Sequence, residues 1–205
     1  MGIYSDVVLP RLIDRACRQR AMSLQRRRIV PRARGEVLEV GIGTGLNLPF
    51  YDAERVTKVF GLDPSQQATR MARESAEQAP FEVDFIGLPG EEIPLDDHSV
   101  DTVVMTYTLC SIAAPDVALK QMARVLRPGG ELLFCEHGAA PDASVRRWQD
   151  RLNPVWKRLG GGCNLNRDIF SILKSSGFDL AGEESGYIAG WRPGSYNYWG
   201  SATAS

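Results

Sequence analysis

The chain alternates short apolar runs with longer amphipathic stretches. Runs rich in Val, Leu, Ile and Phe predict strands, because β-branched and aromatic residues favour an extended backbone. Polar stretches with apolar residues at every third or fourth position predict helices. We expect strands at 36–40, 58–62, 81–86, 101–106, 131–136, 178–186 and 196–203. We expect helices at 65–79, 117–125, 145–159 and 167–175, and a turn at 127–130.

This order of elements predicts an α/β fold. Strands that alternate with helices form a parallel sheet covered by helices on both faces. The apolar character of 37–40 and 102–105 indicates strands buried on both sides. We divide the chain into a basic helical segment, 1–35, and one domain, 36–205. A doubly wound, Rossmann-like sheet of this kind binds ligands at the carboxyl ends of its strands.

The first predicted strand ends in three alternating glycines, Gly41, Gly43 and Gly45. Glycines permit a sharp turn and a close approach of the backbone to a ligand. The spacing fits neither a dinucleotide fingerprint nor a triphosphate-binding loop, and a glycine turn without a ligand is the alternative. Glu39 at the start of the loop suits a cationic ligand. Asp63, after the second strand, is placed to accept hydrogen bonds from ribose hydroxyls.

Charge narrows the classes of partner. The formal net charge is −1, which gives no indication of nucleic-acid binding. Residues 1–35 hold nine arginines against two aspartates. We favour a solvated helical face there, and an amphipathic helix resting on an anionic membrane surface is the alternative. Its apolar side would comprise Val7, Val8, Leu9, Leu12, Ile13, Ala16 and Cys17.

Cysteine usage and the absence of long apolar runs indicate a cytoplasmic protein, at most peripheral at a membrane surface. No run approaches the ~20 apolar residues of a membrane span. The four cysteines form no Cys-x-x-Cys pair and show no zinc-ligand spacing with the two histidines, so we expect reduced thiols and no metal.

Further motifs at the strand ends, taken together with the glycine loop, indicate a particular family. Gly61-Leu-Asp-Pro-Ser65 ends the second strand, Leu88-Pro-Gly-Glu-Glu-Ile-Pro-Leu95 follows the third, and Arg124-Val-Leu-Arg-Pro-Gly-Gly130 precedes the fifth. In this order the set resembles the class I S-adenosylmethionine-dependent methyltransferases. The resemblance implies a seven-stranded sheet with an antiparallel last strand, S-adenosyl-L-methionine as cofactor and S-adenosyl-L-homocysteine as product. It implies as cofactor-binding residues Glu39, Gly41, Gly43, Thr44, Gly45, Asp63, Pro64, Gly90, Glu91, Thr106 and Leu109.

The second half is similar to one group of that family, the alkyl thiol S-methyltransferases found on microsomes and lipid droplets in animals. The similarity lies in Thr108-Leu-Cys-Ser111, Glu136-His137, Leu152-x-Pro-x-Trp156 and Gly162-Cys-Asn-Leu165. It implies a small lipophilic thiol as acceptor. The animal proteins carry an apolar anchor where this chain has its basic segment. Bacterial relatives are often labelled as quinone- or phospholipid-type enzymes.

Alternatives for the function stay open. The first is a different methyl acceptor, namely a phospholipid amine, a quinone precursor or a natural product, methylated on N or O. The second is a non-enzymatic module that binds S-adenosylmethionine.

A thiol acceptor reacts as its thiolate, so a nearby base would help. His137, after the fifth strand, is the candidate catalytic base because a histidine titrates near physiological pH. A histidine satisfied by a backbone carbonyl or by Glu136 is the alternative. Tyr4 is expected near the methionine end of the cofactor. The tryptophans are expected in the core rather than at the acceptor: Trp148, Trp156 and Trp191. The predicted acceptor pocket comprises Tyr107, Cys110, His137, Cys163, Asn164 and Arg167.

Overall fold

The computed structural model describes residues 9–204, so the predicted contact of Tyr4 lies outside the described part of the chain. One sheet of seven strands is flanked by six α-helices. The strands are β1 (Gly35–Val40), β2 (Val56–Leu62), β3 (Glu82–Ile86), β4 (Val100–Thr106), β5 (Leu126–His137), β6 (Phe178–Tyr187) and β7 (Tyr196–Ala204). The helices are α1 (Leu9–Cys17), α2 (Arg20–Ile29), α3 (Gln66–Glu77), α4 (Pro115–Val125), α5 (Ala143–Leu159) and α6 (Ile169–Ser175).

The strand order is β3-β2-β1-β4-β5-β7-β6. Strands β1 to β5 are parallel, and β7 runs antiparallel between β5 and β6. The predicted Rossmann-like sheet, mostly parallel with an antiparallel last strand, is confirmed. The chain order reverses between β1 and β4, and such a switch point is where doubly wound sheets bind ligands.

The core lies on both faces of the sheet. Successive side chains of a strand point to opposite faces. In β4, Val103 and Met105 pack into one apolar cluster, whereas Val104 packs into the other. In β5, Phe134 packs into the first of these clusters and Leu133 into the second. The central strands are therefore buried on both sides, as their unbroken apolar character predicts.

Of two local predictions, one is confirmed and the other is wrong. Ser65 caps α3 as expected, because its hydroxyl accepts the backbone N–H of Ala68 at 3.2 Å. The turn predicted at 127–130 is instead part of β5. Leu126 pairs with Val100 and the ladder resumes at Glu131, so the Pro-Gly-Gly sequence forms an irregularity within the strand.

The tryptophans lie at the surface, so the prediction that they belong to the core is wrong. Trp148, Trp156 and Trp191 expose 56%, 38% and 50% of their area. Two of them belong to α5, whose fully buried side chain is the polar Gln149. Hydrogen bonds of Gln149 attach this helix to the loops beneath it.

The N-terminal helices pack over the glycine loop. Asp14 of α1 accepts the hydroxyl of Thr44 at 2.5 Å. Arg26 of α2 donates to the carbonyl of Cys17 at 2.7 Å, which joins the two helices. Leu12 and Ile13 remain about half exposed. Across residues 9–204, no helix combines the length and apolar character needed to span a membrane.

Candidate active site

A cavity of about 720 Å³ lies at the carboxyl ends of the central strands, within the usual size of a small-molecule site. It is enclosed by the glycine loop, the turns after β2, β3, β4 and β5, the end of α5, and the N-terminal helices. Most residues predicted for the site line it: Glu39, Gly41, Gly43, Thr44, Asp63, Pro64, Gly90, Glu91, Thr106, Tyr107, Cys110, His137 and Cys163.

Four predicted site residues do not line the cavity. Gly45 packs against Leu48 and Ala72. Leu109 is fully buried. The amide of Asn164 donates to the carbonyls of Cys110 and Gly162, both at 2.9 Å. The guanidinium of Arg167 donates to the carbonyl of Leu109. These residues hold the loops around the cavity.

The glycines of the loop have different tasks. Gly41 has a φ of +74°, and a side chain there would collide with Thr108. Above Gly43 the space is open, because an added Cβ would meet nothing closer than the Gly41 carbonyl at 3.8 Å. Gly41 is therefore required by the fold, and Gly43 leaves room for a ligand beside Asp63.

Asp63 is held at the rim of this space. One carboxylate oxygen accepts the N–H of Gly43 at 2.9 Å, and the other accepts the N–H of Ser65 at 2.8 Å. Burial raises the pKa of Asp63, and these two hydrogen bonds oppose the rise. A carboxylate oxygen accepts more than one hydrogen bond, so both oxygens can still receive ribose hydroxyls.

Glu39 is a buried acid without a salt-bridge partner among the described residues. Its oxygens accept the Asn47 amide at 3.0 Å and the Tyr51 hydroxyl at 2.7 Å. Burial raises its pKa to about 7, and those two hydrogen bonds lower it only in part. Asn47 also donates to Thr106 at 3.0 Å, which ties the ends of β1 and β4 together. A buried carboxylate that lacks an ion-pair partner favours a cationic ligand.

Tyr107 lines the cavity directly after β4. Its φ of +57° is unusual for a residue with a side chain and places strain directly after β4. Its hydroxyl donates to Asn197 at 2.9 Å. The guanidinium of Arg26 lies 5.3 Å from the centre of its ring. Sequence reasoning missed Arg26, since no motif links the N-terminal segment to the site.

Three donor side chains converge in the cavity, from the ends of β4 and β5 and from the loop after α5. The sulfur atoms of Cys110 and Cys163 and one ring nitrogen of His137 all lie within 4.8 Å of one another. His137 Nε2 is 3.1 Å from Cys163 Sγ, and the Trp156 indole N–H donates to the same sulfur at 3.2 Å. His137 Nδ1 is buried without a partner among the described residues. Nε2 contacts Cys163, and the role of His137 as catalytic base stays a prediction.

The members of this group shift one another's pKa values. The Cys110 thiol favours ionisation of Cys163, burial opposes it, and His137 again favours it, so the pKa of Cys163 lies well below that of an ordinary thiol. Burial alone would lower the pKa of His137, but Cys163 and Glu136 raise it. The result is a polar, sulfur-rich group in otherwise apolar surroundings.

Comparison with known proteins gives the family. The profile of the methyltransferase domain family matches residues 38–134. The thiol S-methyltransferase TMT1B of Homo sapiens is 40% identical over 146 residues, which cover 69% of this chain and 59% of that protein. The chain belongs to the S-adenosylmethionine-dependent methyltransferases. This methyltransferase thus spans about three fifths of the length of that relative.

Other relatives have different acceptors in their names. The phosphatidylethanolamine N-methyltransferase of Cereibacter sphaeroides is 38% identical over 118 residues, which cover 55% of this chain and 57% of that relative. A crystal structure of an S-adenosylmethionine-dependent methyltransferase from Thermotoga maritima superimposes with a TM-score of 0.65. It covers 97% of this chain and 99% of its own, at 20% identity, and therefore supports the fold alone.

The cavity fits S-adenosylmethionine, the cofactor of this family. The open space above Gly43 adjoins Asp63, which would hold the ribose. Glu39 offers its buried carboxylate to the ammonium group. Apolar side chains farther along the lining would hold the adenine: Leu62, Ala68, Pro89 and Ile112.

Proposed function

We propose that the methyltransferase transfers a methyl group to the sulfur of a small lipophilic thiol. The observation that carries this proposal is the composition of the acceptor end, the part of the cavity around Cys110, His137 and Cys163. Among the described residues, that lining contains no Asp, Glu, Lys or Arg. The acceptor end is formed by Cys110, His137, Trp156, Cys163, Leu165, Ile188 and Trp191, with the intervening small residues.

An uncharged, apolar acceptor suits this lining. Trp156 and Trp191 stack at a ring separation of 5.5 Å and give the cavity an aromatic edge open to solvent. A phospholipid amine would bring a phosphate, which requires a cation. Arg26 is the only Lys or Arg among the described lining residues, and its guanidinium is engaged by the Cys17 carbonyl and the Tyr107 ring.

The chain's own contribution is orientation and exclusion of water. Bound S-adenosylmethionine supplies an electrophilic methyl group on a sulfonium centre. Glu39 and Asp63 would fix the cofactor, and the acceptor end would place the thiol against its methyl group. Alignment of this kind is worth several kcal/mol, at most about 7–11. A thiol with a pKa of about 8.5 already has an ionised fraction at neutral pH, and no covalent enzyme intermediate is required.

The test is a competition between acceptors with labelled S-adenosylmethionine. The mixture contains pentanethiol, phosphatidylethanolamine vesicles and a reduced quinone precursor, and mass spectrometry identifies the products. We expect label in the methyl thioether. Label in the lipid amine or the quinone instead would contradict the thiol assignment. Label nowhere, despite cofactor binding by calorimetry, would favour a non-enzymatic binding module. Asp63→Ala, which removes the ribose acceptor, is the matched negative control.

A further inference from the structure

The three donors of the acceptor end come from three separate loops. Cys110 follows β4, His137 ends β5, and Cys163 lies in the glycine-rich loop after α5. Their donor atoms are within 4.8 Å of one another. In a tetrahedral zinc site with bonds of roughly 2.0–2.3 Å, ligand atoms lie roughly 3.5–3.8 Å apart. The 3.1 Å between His137 Nε2 and Cys163 Sγ and the upper limit of 4.8 Å within the cluster bracket that range.

We propose that Cys110, His137 and Cys163 bind a zinc ion whose fourth position faces the acceptor end and receives the acceptor thiolate. Thiolate and imidazole ligands favour zinc over the hard cations. Three protein ligands and one exchangeable position are typical of catalytic rather than structural zinc. The identity of the fourth ligand rests on the proposed thiol acceptor, whereas the metal site itself does not.

The surroundings of the ligands are already arranged for a metal. The loops that carry Cys110 and Cys163 are bound to each other, because the backbone N–H of Asn164 donates to the Cys110 carbonyl at 2.8 Å and its side chain donates to the same oxygen. The Trp156 indole N–H donates to Cys163 Sγ. Such outer hydrogen bonds orient metal ligands and stabilise thiolate charge.

Two cysteines match the charge of the ion, beside a further buried carboxylate, Glu136, which raises the pKa of His137. When zinc binds, two cysteine thiols lose their protons, and the two thiolates neutralise the dication. An acceptor thiol would bind as its thiolate after releasing its proton to solvent. Its sulfur then forms a bond to the methyl carbon while the bond between that carbon and the sulfonium sulfur breaks. The product is a neutral thioether, a poor zinc ligand, which can leave.

This assignment changes the role expected for His137 from base to ligand. It also departs from the expectation of no metal, which rests on spacing along the sequence. The ligands are separated by more than twenty residues on each side of His137. The adjacency of β4 and β5 brings Cys110 and His137 together, and the hydrogen bond from the Asn164 N–H to the Cys110 carbonyl holds the loop of Cys163 beside them.

The first experiment measures metal on the full chain. Protein purified without chelator is analysed for zinc, and cobalt-substituted protein is examined by absorption spectroscopy. We expect about one zinc per chain and a thiolate-to-cobalt charge-transfer band. Cys110→Ser and Cys163→Ser should lose both, while Cys17→Ser, at a cysteine of the same cavity outside the cluster, should keep both. Calorimetric binding of S-adenosylhomocysteine shows that each variant is folded.

Three results would overturn the site: absence of zinc and of the cobalt band in wild-type protein, retention of both in Cys163→Ser, or a disulfide between Cys110 and Cys163 with no metal.

The second experiment adds pentanethiol to the cobalt protein, with pentanol as control. A shift of the visible cobalt bands by the thiol alone supports the fourth position, and no shift refutes it. Zinc binding with label in the lipid amine would sink the proposed acceptor and leave the metal site intact. Thiol methylation at the wild-type rate by metal-free protein would leave the proposed acceptor intact and refute the catalytic role of zinc.

Discussion

Glu39 and Asp63 are carboxylates at neighbouring strand ends, but their surroundings differ. Asp63 accepts two backbone N–H groups at the rim of the cavity. Glu39 is 1% exposed and has only neutral hydrogen-bond donors, so its pKa rises to about 7. A group of this kind is partly protonated at neutral pH and becomes fully charged when a cation arrives. Glu39 thus couples cofactor binding to proton release.

We predict that S-adenosylmethionine binds more tightly as pH rises from 6 to 8. Below the pKa of about 7, free Glu39 is mainly protonated, and the cofactor's ammonium group favours the ionised form. Binding then releases a proton, and affinity rises with pH by at most about tenfold per unit below pH 7. Calorimetry in buffers of different ionisation enthalpy measures the released proton.

Glu39→Gln is the matched variant for this coupling. The amide keeps a hydrogen-bonding group beside Asn47 and Tyr51 but cannot ionise. We expect weaker binding with little pH dependence and no released proton between pH 6 and 8. Proton release unchanged from wild type in this variant would show that another group is responsible.

Asp63→Asn should weaken cofactor binding by about 1.5–3 kcal/mol, because a charged hydrogen-bond acceptor is lost. That is roughly a tenfold to 150-fold change in the dissociation constant. Asp84→Asn, at a carboxylate on β3 that pairs with Lys58, serves as control because it lies away from the cavity. Equal affinities for Asp63→Asn and wild type would remove Asp63 from the ribose site.

At the scale of elements, the strands are more predictable from sequence than the attachment of the helices. The strands at 36–40 and 101–106 follow from their content of Val, Leu and Met, and residues 37–40 and 102–106 are buried. Local propensity predicts a turn at 127–130 because Pro and Gly break strands, but pairing with β4 carries β5 across it. Tertiary pairing of this kind cannot be deduced from local propensity.

Helix α5 is attached by a buried polar side chain that no apolar pattern predicts. Gln149 accepts the N–H of Ala140 at 2.9 Å and donates to the carbonyls of Gly138 and Pro193 at 2.9 and 2.8 Å. Gln149→Leu keeps the volume but leaves these buried groups without partners, so we expect a loss of roughly 2 kcal/mol or more in the free energy of unfolding. Urea unfolding measures the change.

Lys157→Ala is the control on the same helix, because Lys157 is exposed. Its effect should stay within about 0.5 kcal/mol. If Gln149→Leu also fell within that range, the hydrogen bonds would not be what attaches α5 to the loop after β5.

The N-terminal helices are joined to the cofactor loop by the hydrogen bond between Asp14 and Thr44. Thr44→Val removes that hydrogen bond at nearly constant volume. We expect faster hydrogen exchange in 9–17 and unchanged exchange in the sheet, because terminal helices open locally. Thr69→Val is the matched control, since the Thr69 hydroxyl donates to backbone carbonyls of Ser65 and Gln66, at the start of α3. Identical exchange in both variants would mean that α1 is held by other contacts.

At the scale of the whole molecule, the two parts of the cavity differ in how far sequence can reveal them. The cofactor part is made of contiguous motifs, each directly after a strand, so strand order alone places Glu39 and Asp63 together. The acceptor end depends on packing between distant loops. Nothing in the sequence brings Cys163 to His137, or Arg26 to Tyr107, before the sheet and its covering helices are assembled.

Both parts nevertheless rest on one sheet, so occupation of the cofactor part should stabilise the entire domain. S-adenosylhomocysteine at about 100 times its dissociation constant adds about 2.7 kcal/mol if it binds only the folded chain. For a chain of 205 residues this corresponds to a Tm increase of roughly 5–10 °C. Circular dichroism and tryptophan fluorescence should give one coincident transition, since the tryptophans report on the acceptor end and the dichroism on all helices. Asp63→Ala should lose the shift at the same ligand concentration. Two separate transitions, with only one of them moved by the ligand, would mean that the cofactor part folds independently of the loops that form the acceptor end.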